Sequence, residues 1–447
     1  MFYRRTSPRA LVPLNPVGTI TLVDPPFEIS DMTTVTLDPS GRLLSFFAVP
    51  PQKESGTDGA AVTDWPAMFQ FAGLDLSRFH TVTPEWLPRG HADTRVAWEG
   101  SIPETALPVR VEAAAWRGRP IYFQTIWPWT RPTRMEESTE SAGVRYLNIV
   151  AEIATMGVLA AALFLAHKNV RAGRGDVRGA QRLGVLAIVA QLIAWAFNDP
   201  HVGNASQIVN RFLESVGEAL FGGGVLYVMH LAVEPAMRRH WPDSLLGWTR
   251  LLRGQIIDAR VGRDALFGLG AGALITLLIF ARDPLNQAFG SLYPVASFGN
   301  TRYFEGLDYV VGFLFSLLVF QTVFNSMWFI LTIVGLKRLF KRLWIVGIAA
   351  TVVFTFLAAR GLFVEAPGLL WINMAIAFIV VGILTVLAIH VGLLAMVFAF
   401  GSTFVLTATP WSFDTSAWYF QESALAFLVM AGLTASAAYA ARSGSTV

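Results

Sequence analysis

The chain has 447 residues, of which 54% are hydrophobic and 15% are charged, and its formal net charge is +3. About a quarter of the residues of a soluble domain are charged, so this composition excludes an ordinary soluble domain and indicates an integral membrane protein. The sequence contains no cysteine, which excludes disulfides, thiolate zinc sites and cysteine nucleophiles.

Residues 1–140 are predicted to form a small α+β domain, with one antiparallel sheet and a helix against it. Prolines predict that residues 1–18 run extended. A helix is expected over residues 63–72, with Thr63 or Asp64 as its N-cap. Its apolar face is predicted to consist of Trp65, Met68, Phe69 and Phe71. Alternating apolar residues predict strands at residues 19–23, 33–37, 43–49, 94–98, 109–116 and 121–126.

After a linker at residues 141–145, residues 146–441 are predicted to form a polytopic bundle of about nine transmembrane helices. The predicted spans are residues 146–167, 183–198, 212–233, 265–281, 307–335, 343–360, 369–389, 391–407 and 418–440. Most are close to the ~20 residues that a helix needs to cross the hydrocarbon core. Residues 369–408 are too long for one crossing, so we expect two helices joined tightly at His390.

The basic residues of the bundle predict its orientation. They cluster after the first, third, fifth and ninth spans, and the positive-inside rule assigns that face to the cytoplasm. The C-terminus is then cytoplasmic, and residues 1–140 lie outside an inner membrane. No apolar signal segment opens the sequence. Either the first span translocates a long N-terminal tail, or the chain is the C-terminal part of a longer protein; we favour the second.

Residues 234–264, here called the basic connector, are the longest polar interruption between the spans. The spacing of Leu245, Trp248 and Leu251 predicts an amphipathic helix lying along the inner membrane surface. One interpretation is a topology determinant that contacts anionic headgroups; the other is a coupling element that contacts a cytoplasmic partner. The candidate coupling or lipid-contact residues are Arg238, Arg239, Trp248, Arg250, Arg253, Arg260 and Arg263.

Polar residues inside predicted spans suggest a second candidate site, because such residues are costly in a bilayer. Gln321 and Asn325 are four residues apart and therefore share one helix face. A transporter pathway would use such residues, whereas hydrogen bonding between helices, worth under ~2 kcal/mol each, would also account for them. The candidate intramembrane polar site comprises Glu152, Glu218, Gln321, Asn325 and His390.

The sequence shows no recognisable catalytic motif, and we predict no catalytic residue, cofactor, metal site or nucleic-acid partner. Gly268, Gly270 and Gly272 lie in an apolar span and lack the lysine that ends a phosphate-binding loop. They are more typical of a close approach between helices. The seven histidines are scattered without metal-ligand spacing.

Four stretches carry a resemblance to a known family: YRRTSPRALVPLNPVG at residues 3–18, DPPFEISDMTTVTLDPSGRLLSFFAVPPQ at 24–52, VRVEAAAWRGRPIYF at 109–123 and EPAMRRHWPDSLLGWTRLLRGQIIDARVGRD at 234–264. Together they resemble the C-terminal region of large bacterial multi-pass serine/threonine protein kinases. In that family a cytoplasmic kinase domain and an extra span come first. The kinase motifs are not among these residues, so no catalytic or ATP-binding residue carries over.

The resemblance implies a non-catalytic membrane anchor or sensor-transmitter module. Its expected partners are the lipid bilayer and a kinase domain, supplied upstream in the same chain or by another chain. The alternative function is a transporter or permease that uses the intramembrane polar residues.

Overall fold

The computed structural model describes residues 1–14, 20–53, 62–102, 107–132, 134–135, 142–199, 205–290, 301–365 and 369–443. The chain divides into two units. Met1–Thr139 and Asp199–Asn210 form the N-terminal unit, and Glu140–Asn198 and Arg211–Val447 form the helical unit. The sequence predicts the boundary near residue 140 and assigns the segment Asp199–Asn210 to the bundle.

One antiparallel sheet of seven strands forms the N-terminal unit, in the order β1-β2-β3-β7-β6-β5-β4. The strands are β1 Phe2–Thr6, β2 Thr33–Leu37, β3 Leu43–Ala48, β4 His80–Val82, β5 Thr94–Ser101, β6 Pro108–Trp116 and β7 Arg119–Ile126. Five of the predicted strands are confirmed. They form because their alternating apolar residues become buried on one or both faces of the sheet.

The edge of this sheet differs from the prediction. Residues 20–23 are not a strand, and β1 lies in the segment that was expected only to be extended. Phe2 pairs with Leu37 and Thr6 with Thr33, before the first proline of the segment. Arg5 Nη1 donates to the carbonyl of Thr21 at 2.7 Å. The carbonyl of Thr21 is thus bonded by a side chain of β1.

The predicted helix is α1, Trp65–Phe71, and its N-cap is Asp64, which accepts from the backbone N–H of Ala67 at 3.1 Å. Phe69 is 1% exposed, and its ring packs edge-on against Trp98 and Phe123. The prediction that Phe71 shares this apolar face is wrong, since Phe71 is 68% exposed. Two helical positions rotate a side chain by about 200°, which turns Phe71 away from Phe69.

A buried carboxylate lies in β6, an interior strand of the sheet. Glu112 is 1% exposed, and its Oε1 accepts from Arg110 Nε at 2.8 Å and from the backbone N–H of Glu85 at 2.9 Å. The same guanidinium donates through Nη1 to Glu99 Oε1 at 2.6 Å and through Nη2 to the carbonyl of Thr83 at 2.5 Å. Arg110 therefore joins three segments of the N-terminal unit.

Eleven α-helices follow the sheet in the described part of the chain. They are α2 Ala142–Arg171, α3 Val177–Asn198, α4 Ala205–His240, α5 Asp243–Leu252, α6 Ala259–Ala288, α7 Leu307–Phe315, α8 Thr322–Leu339, α9 Leu343–Glu365, α10 Leu370–His390, α11 Leu393–Ala408 and α12 Phe420–Arg442. A π-helical segment, Ser316–Gln321, joins α7 to α8. The long predicted span at residues 307–335 is thus one helical stretch interrupted by a wider turn.

Seven helices in the described part of the chain are long and apolar enough to cross a membrane. They are Asn148–Arg171, Val177–Asn198, Ala205–His240, Ala259–Ala288, Leu307–Leu339, Leu370–His390 and Phe420–Arg442. The apolar stretches Leu343–Ala358 of α9 and Leu393–Ala408 of α11 are shorter. The protein is a multi-pass membrane protein with a small N-terminal sheet. The structure supports seven of the nine predicted spans by length and composition.

The apolar stretch around His390 is two helices, as predicted. Helix α10 ends at His390 and α11 begins at Leu393. Gly392 between them has φ +122°, a conformation that residues with a side chain rarely adopt. A Cβ at this position would also overlap the carbonyl of Ser244, which belongs to α5. Glycine is therefore required both by the turn and by the close approach of α5.

Small residues bring α6 and α11 together. A Cβ on Gly272 would lie 2.6 Å from the carbonyl oxygen of Ala399, and one on Gly268 would lie 2.7 Å from Cβ of Phe398. Thr403 Oγ1 donates to the carbonyl of Gly272 at 3.3 Å across the same contact. Gly270 faces open space. The predicted close approach of helices is confirmed for Gly268 and Gly272 but not for Gly270.

Candidate functional site

The basic connector is a folded element that is docked on the helical unit. Its helix α5 packs against α3, α6, α10 and α11, and the side chains of Leu245 and Trp248 are each 3% exposed. The predicted amphipathic helix is present. Its apolar face packs against other helices of the protein, so this face does not lie against the membrane surface as predicted. Trp248 lies in the core and is not on the outer surface of the connector.

Within the connector, an ion pair fastens the end of α5 to the start of α6. Arg250 Nη1 lies 2.8 Å from Asp258 Oδ2 and 2.9 Å from Oδ1. Asp258 is also the N-cap of α6 and accepts from the backbone N–H groups of Arg260 and Val261. Burial raises the pKa of Asp258, but the hydrogen bonds from Arg250 and the two backbone groups outweigh it, so this pKa lies below its usual value. The carboxylate is held in its charged form.

The start of α5 is tied to α6 by Arg260. Its Nη2 donates to the carbonyl of Asp243 at 2.9 Å, and its Nε lies 3.4 Å from Oδ1 of the buried Asp264. A Cβ on Gly247 would overlap the Asp264 carboxylate, so a glycine in α5 makes room for the buried acid. Arg263 Nε lies 3.7 Å from the same Oδ1.

The other arginines of the connector point outward. Arg239 and Arg253 are exposed, and the Arg263 side chain is 53% exposed. Arg238 is 60% exposed at its side chain and forms an ion pair with the buried Glu234. Of the seven candidate residues, Trp248, Arg250 and Arg260 thus hold the connector in place, and the other four present a positive surface.

Two buried polar side chains lie on α4 where the connector begins, and one of them, His230, was not predicted. His230 and Glu234 are each 2% exposed and are one helical turn apart on α4. Trp248 Nε1 lies 3.5 Å from His230 Nδ1. The signal was present in the sequence as a histidine one turn before a Glu-Pro pair, but its position in an apolar helix resembled an ordinary core residue.

Asn169 on α2, which was also not predicted, bonds a backbone carbonyl of α4 that has no donor in its own helix. Pro235 lies inside α4 and has no N–H, so the carbonyl of Leu231 lacks its donor four residues later. Asn169 Nδ2 donates to this carbonyl at 2.8 Å. The proline and the asparagine therefore act as a pair, and the side chain of one helix completes the backbone bonding of another.

We expect Asn169→Leu to lower the free energy of unfolding by about 1–3 kcal/mol, because the buried carbonyl of Leu231 loses its donor. In a Pro235→Ala background, the restored N–H of residue 235 should bond this carbonyl, and the same substitution should cost less than about 1 kcal/mol. Reversible unfolding of the four proteins in mixed micelles measures both values. An equal cost in the two backgrounds would show that Asn169 acts through some other contact.

The candidate intramembrane polar residues are not brought together. Glu152, Glu218, Gln321 and His390 lie at exposed positions of α2, α4, the π-helical segment and α10. Asn325 lines a cavity whose volume is about 460 Å³. Gln321 and Asn325 do share a helix face, but their bond runs from Asn325 Nδ2 to the backbone carbonyl of Gln321 at 2.8 Å. The bond is local and defines no pathway.

Within the described ranges, no group of three or more histidine, aspartate or glutamate side chains is arranged to hold a metal ion. Comparisons with protein-family models, with curated proteins and with solved structures found no match for this chain. The candidate site therefore rests on the geometry of the basic connector, its outward arginines and the buried polar residues beneath it.

Proposed function

We propose that the chain is a non-catalytic anchor and transmitter module of a bacterial serine/threonine kinase system. Nine helices cross the inner membrane, residues 1–140 are extracytoplasmic, and the C-terminus and the basic connector are cytoplasmic. The kinase domain is supplied upstream in the same chain or by another chain. It contacts the connector through Arg238, Arg239, Arg253 and Arg263. The four quoted stretches that resemble the kinase family support the choice of partner.

The observation that carries this proposal is the docking of α5 on four helices while these arginines point outward. A flexible loop would absorb any movement of the bundle, whereas a helix held by the Arg250–Asp258 pair and by Arg260 moves with the helices beneath it. The arrangement suits a surface that reports the state of the bundle to a partner with acidic groups.

The transporter alternative has weaker support, because four of its five candidate residues lie at exposed positions on separate elements. The cavity beside Asn325 is the observation that favours it. A transport site would also require polar groups that converge on the cavity, and apolar side chains such as Phe329, Phe354 and Leu384 form most of its wall.

The proposal is tested in cells that lack this gene and are complemented with variants. We expect Arg239→Ala with Arg253→Ala to lower protein serine and threonine phosphorylation, because two exposed ion pairs at about 0.2–1 kcal/mol each weaken binding by about 2-fold to 30-fold. Arg171→Ala with Arg174→Ala is the control, since it removes two exposed charges near the turn between α2 and α3. Quantitative phosphoproteomics measures the outcome.

Because the chain contains no cysteine, Arg253→Cys also reports the topology. A membrane-impermeant maleimide should label it only after the cells are permeabilised. Unchanged phosphorylation when the gene is deleted would refute the signalling role. A solute flux in reconstituted vesicles that is lost in Asn325→Leu would instead establish the transporter.

A further inference from the structure

The helical unit contains a cavity of about 480 Å³ beneath the end of α5. Helices α3, α5, α11 and α12 and the π-helical segment contribute to its wall. Most of the lining side chains are apolar, among them Leu183, Val319, Phe398 and Leu433. Cavities that bind small molecules have volumes of about 300–1,000 Å³ and are lined in this way. The space is therefore large enough for a flexible hydrocarbon chain.

The cavity opens on the outer surface of the bundle. Leu186, in its wall on α3, is 51% exposed, and Ile256, at its other end, is 64% exposed. Leu186 lies nine residues after the start of α3 at Val177, which is about 13 Å along the helix at about 1.5 Å per residue. The hydrocarbon core is about 30 Å thick, so the opening faces acyl chains when α3 crosses the membrane.

A cationic rim lies at the connector end of the cavity. Arg182 is one helical turn before Leu186 and lines the cavity. Its Nη1 donates to the carbonyl of Leu252 at 3.1 Å, at the end of α5. Arg253, the next residue, is exposed. A guanidinium has five N–H donors, and this bond uses only one of them, which leaves the others to contact a phosphate group.

We propose that the cavity binds one acyl chain of an anionic phospholipid from the bilayer and that Arg182 binds its phosphate. The lateral opening faces the source of this ligand, and the apolar wall matches its chain. The positive rim matches its headgroup at the depth where the membrane meets water. Lipid binding at this site does not depend on the proposed signalling role.

The shape of the cavity depends on two local features. Leu318 and Val319 belong to the π-helical segment, and such wider turns within α-helices are frequent at functional sites. Gly401 on α11 faces this segment, and a Cβ there would make ordinary contacts with Leu318 at 3.4 Å and Thr322 at 3.5 Å. A larger side chain at residue 401 has to extend into the cavity. Gly401→Leu and Val319→Trp are therefore two independent ways to fill it.

The experiment uses the full chain purified from membranes and exchanged into nanodiscs of equal parts phosphatidylglycerol and phosphatidylcholine. After the protein is released from the nanodiscs, native mass spectrometry counts the lipid molecules that remain bound to it. We expect the wild-type protein to retain one phosphatidylglycerol in preference to phosphatidylcholine by about fivefold or more, the contribution of one arginine near the membrane surface. Arg182→Gln should remove this preference but keep the bound chain. Arg171→Gln, at an exposed residue outside the cavity, should change neither.

Val319→Trp and Gly401→Leu should abolish retention of both lipids, and their unfolding transitions show whether each variant is folded. Leu213→Trp, at an exposed position of α4, is the matched control and should retain lipid as the wild type does. Retention of phosphatidylglycerol by both folded filled variants would overturn the proposal. An equal loss of the preference for phosphatidylglycerol in Arg182→Gln and Arg171→Gln would overturn it as well, because the lipid would then be held by overall charge.

Discussion

Replacing Arg110 by methionine is expected to destabilise the N-terminal unit by about 3–5 kcal/mol, because it leaves the carboxylate of Glu112 buried without its cationic partner. Glu112 is 1% exposed in the interior strand β6, between Ala97 and Gln124 of the neighbouring strands. The side chain of Arg110 is 14% exposed and bonds Glu112, Glu99 and the carbonyl of Thr83. Methionine retains much of the volume and removes every one of these bonds.

Hydrogen exchange of the backbone amides of β5, β6 and β7 in the full chain measures this loss as lower protection. Arg42→Met is the matched control. Arg42 also forms an ion pair, with Asp38 at 2.7 Å, but its side chain is 58% exposed, so the cost should stay within about 1 kcal/mol. Arg110→Met combined with Glu112→Leu should recover part of the stability, since the buried charge is then absent. Equal protection in Arg110→Met and wild type would contradict the assignment.

Gly272→Leu is expected to disrupt the packing of α6 on α11 and to cost about 1–3 kcal/mol or more, because the new side chain meets a backbone that cannot rotate away. A Cβ there lies 2.6 Å from the carbonyl of Ala399 and overlaps the hydroxyl of Ser402. Separating the helices to make room also breaks the bond from Thr403 to the carbonyl of Gly272. The loss should appear as a lower unfolding midpoint in mixed micelles and a lower yield of folded protein.

Gly270→Leu is the control for this substitution. It lies half a helical turn away on the same helix and faces open space. Because leucine is the better helix former by up to about 1 kcal/mol, this variant should be as stable as wild type or slightly more stable. Similar losses in Gly270→Leu and Gly272→Leu would mean that the whole helix resists larger residues, and that the contact with α11 is not the cause.

The sequence predicts elements whose signal is local. Alternation in β5 and β6 and the apolar length around His390 suffice for correct predictions. The strand β1 was missed because the prolines after it dominate the composition of residues 1–18, although Phe2–Thr6 contains none. Phe71 was assigned inward because hydrophobicity alone does not show which helix face meets the sheet.

The candidate site is less predictable, because its parts are distant in the sequence. Asn169 and Leu231 are 62 residues apart, and only the fold shows that one completes the backbone of the other. Arg182 contributed to the sequence analysis only as a charge near a span, and its cavity is formed by residues from several helices. The sequence identified the connector arginines as a group. Which of them hold the connector in place and which face outward depends on where Asp258 and Asp264 lie in the fold.

The contact between Gly392 and Ser244 has a mechanical consequence. Gly392 is the joint between α10 and α11, and the backbone at the start of α5 rests directly against it. The angle between these two helices therefore cannot change unless α5 is displaced. A change in this angle would therefore also displace the connector and the arginines on its outer surface.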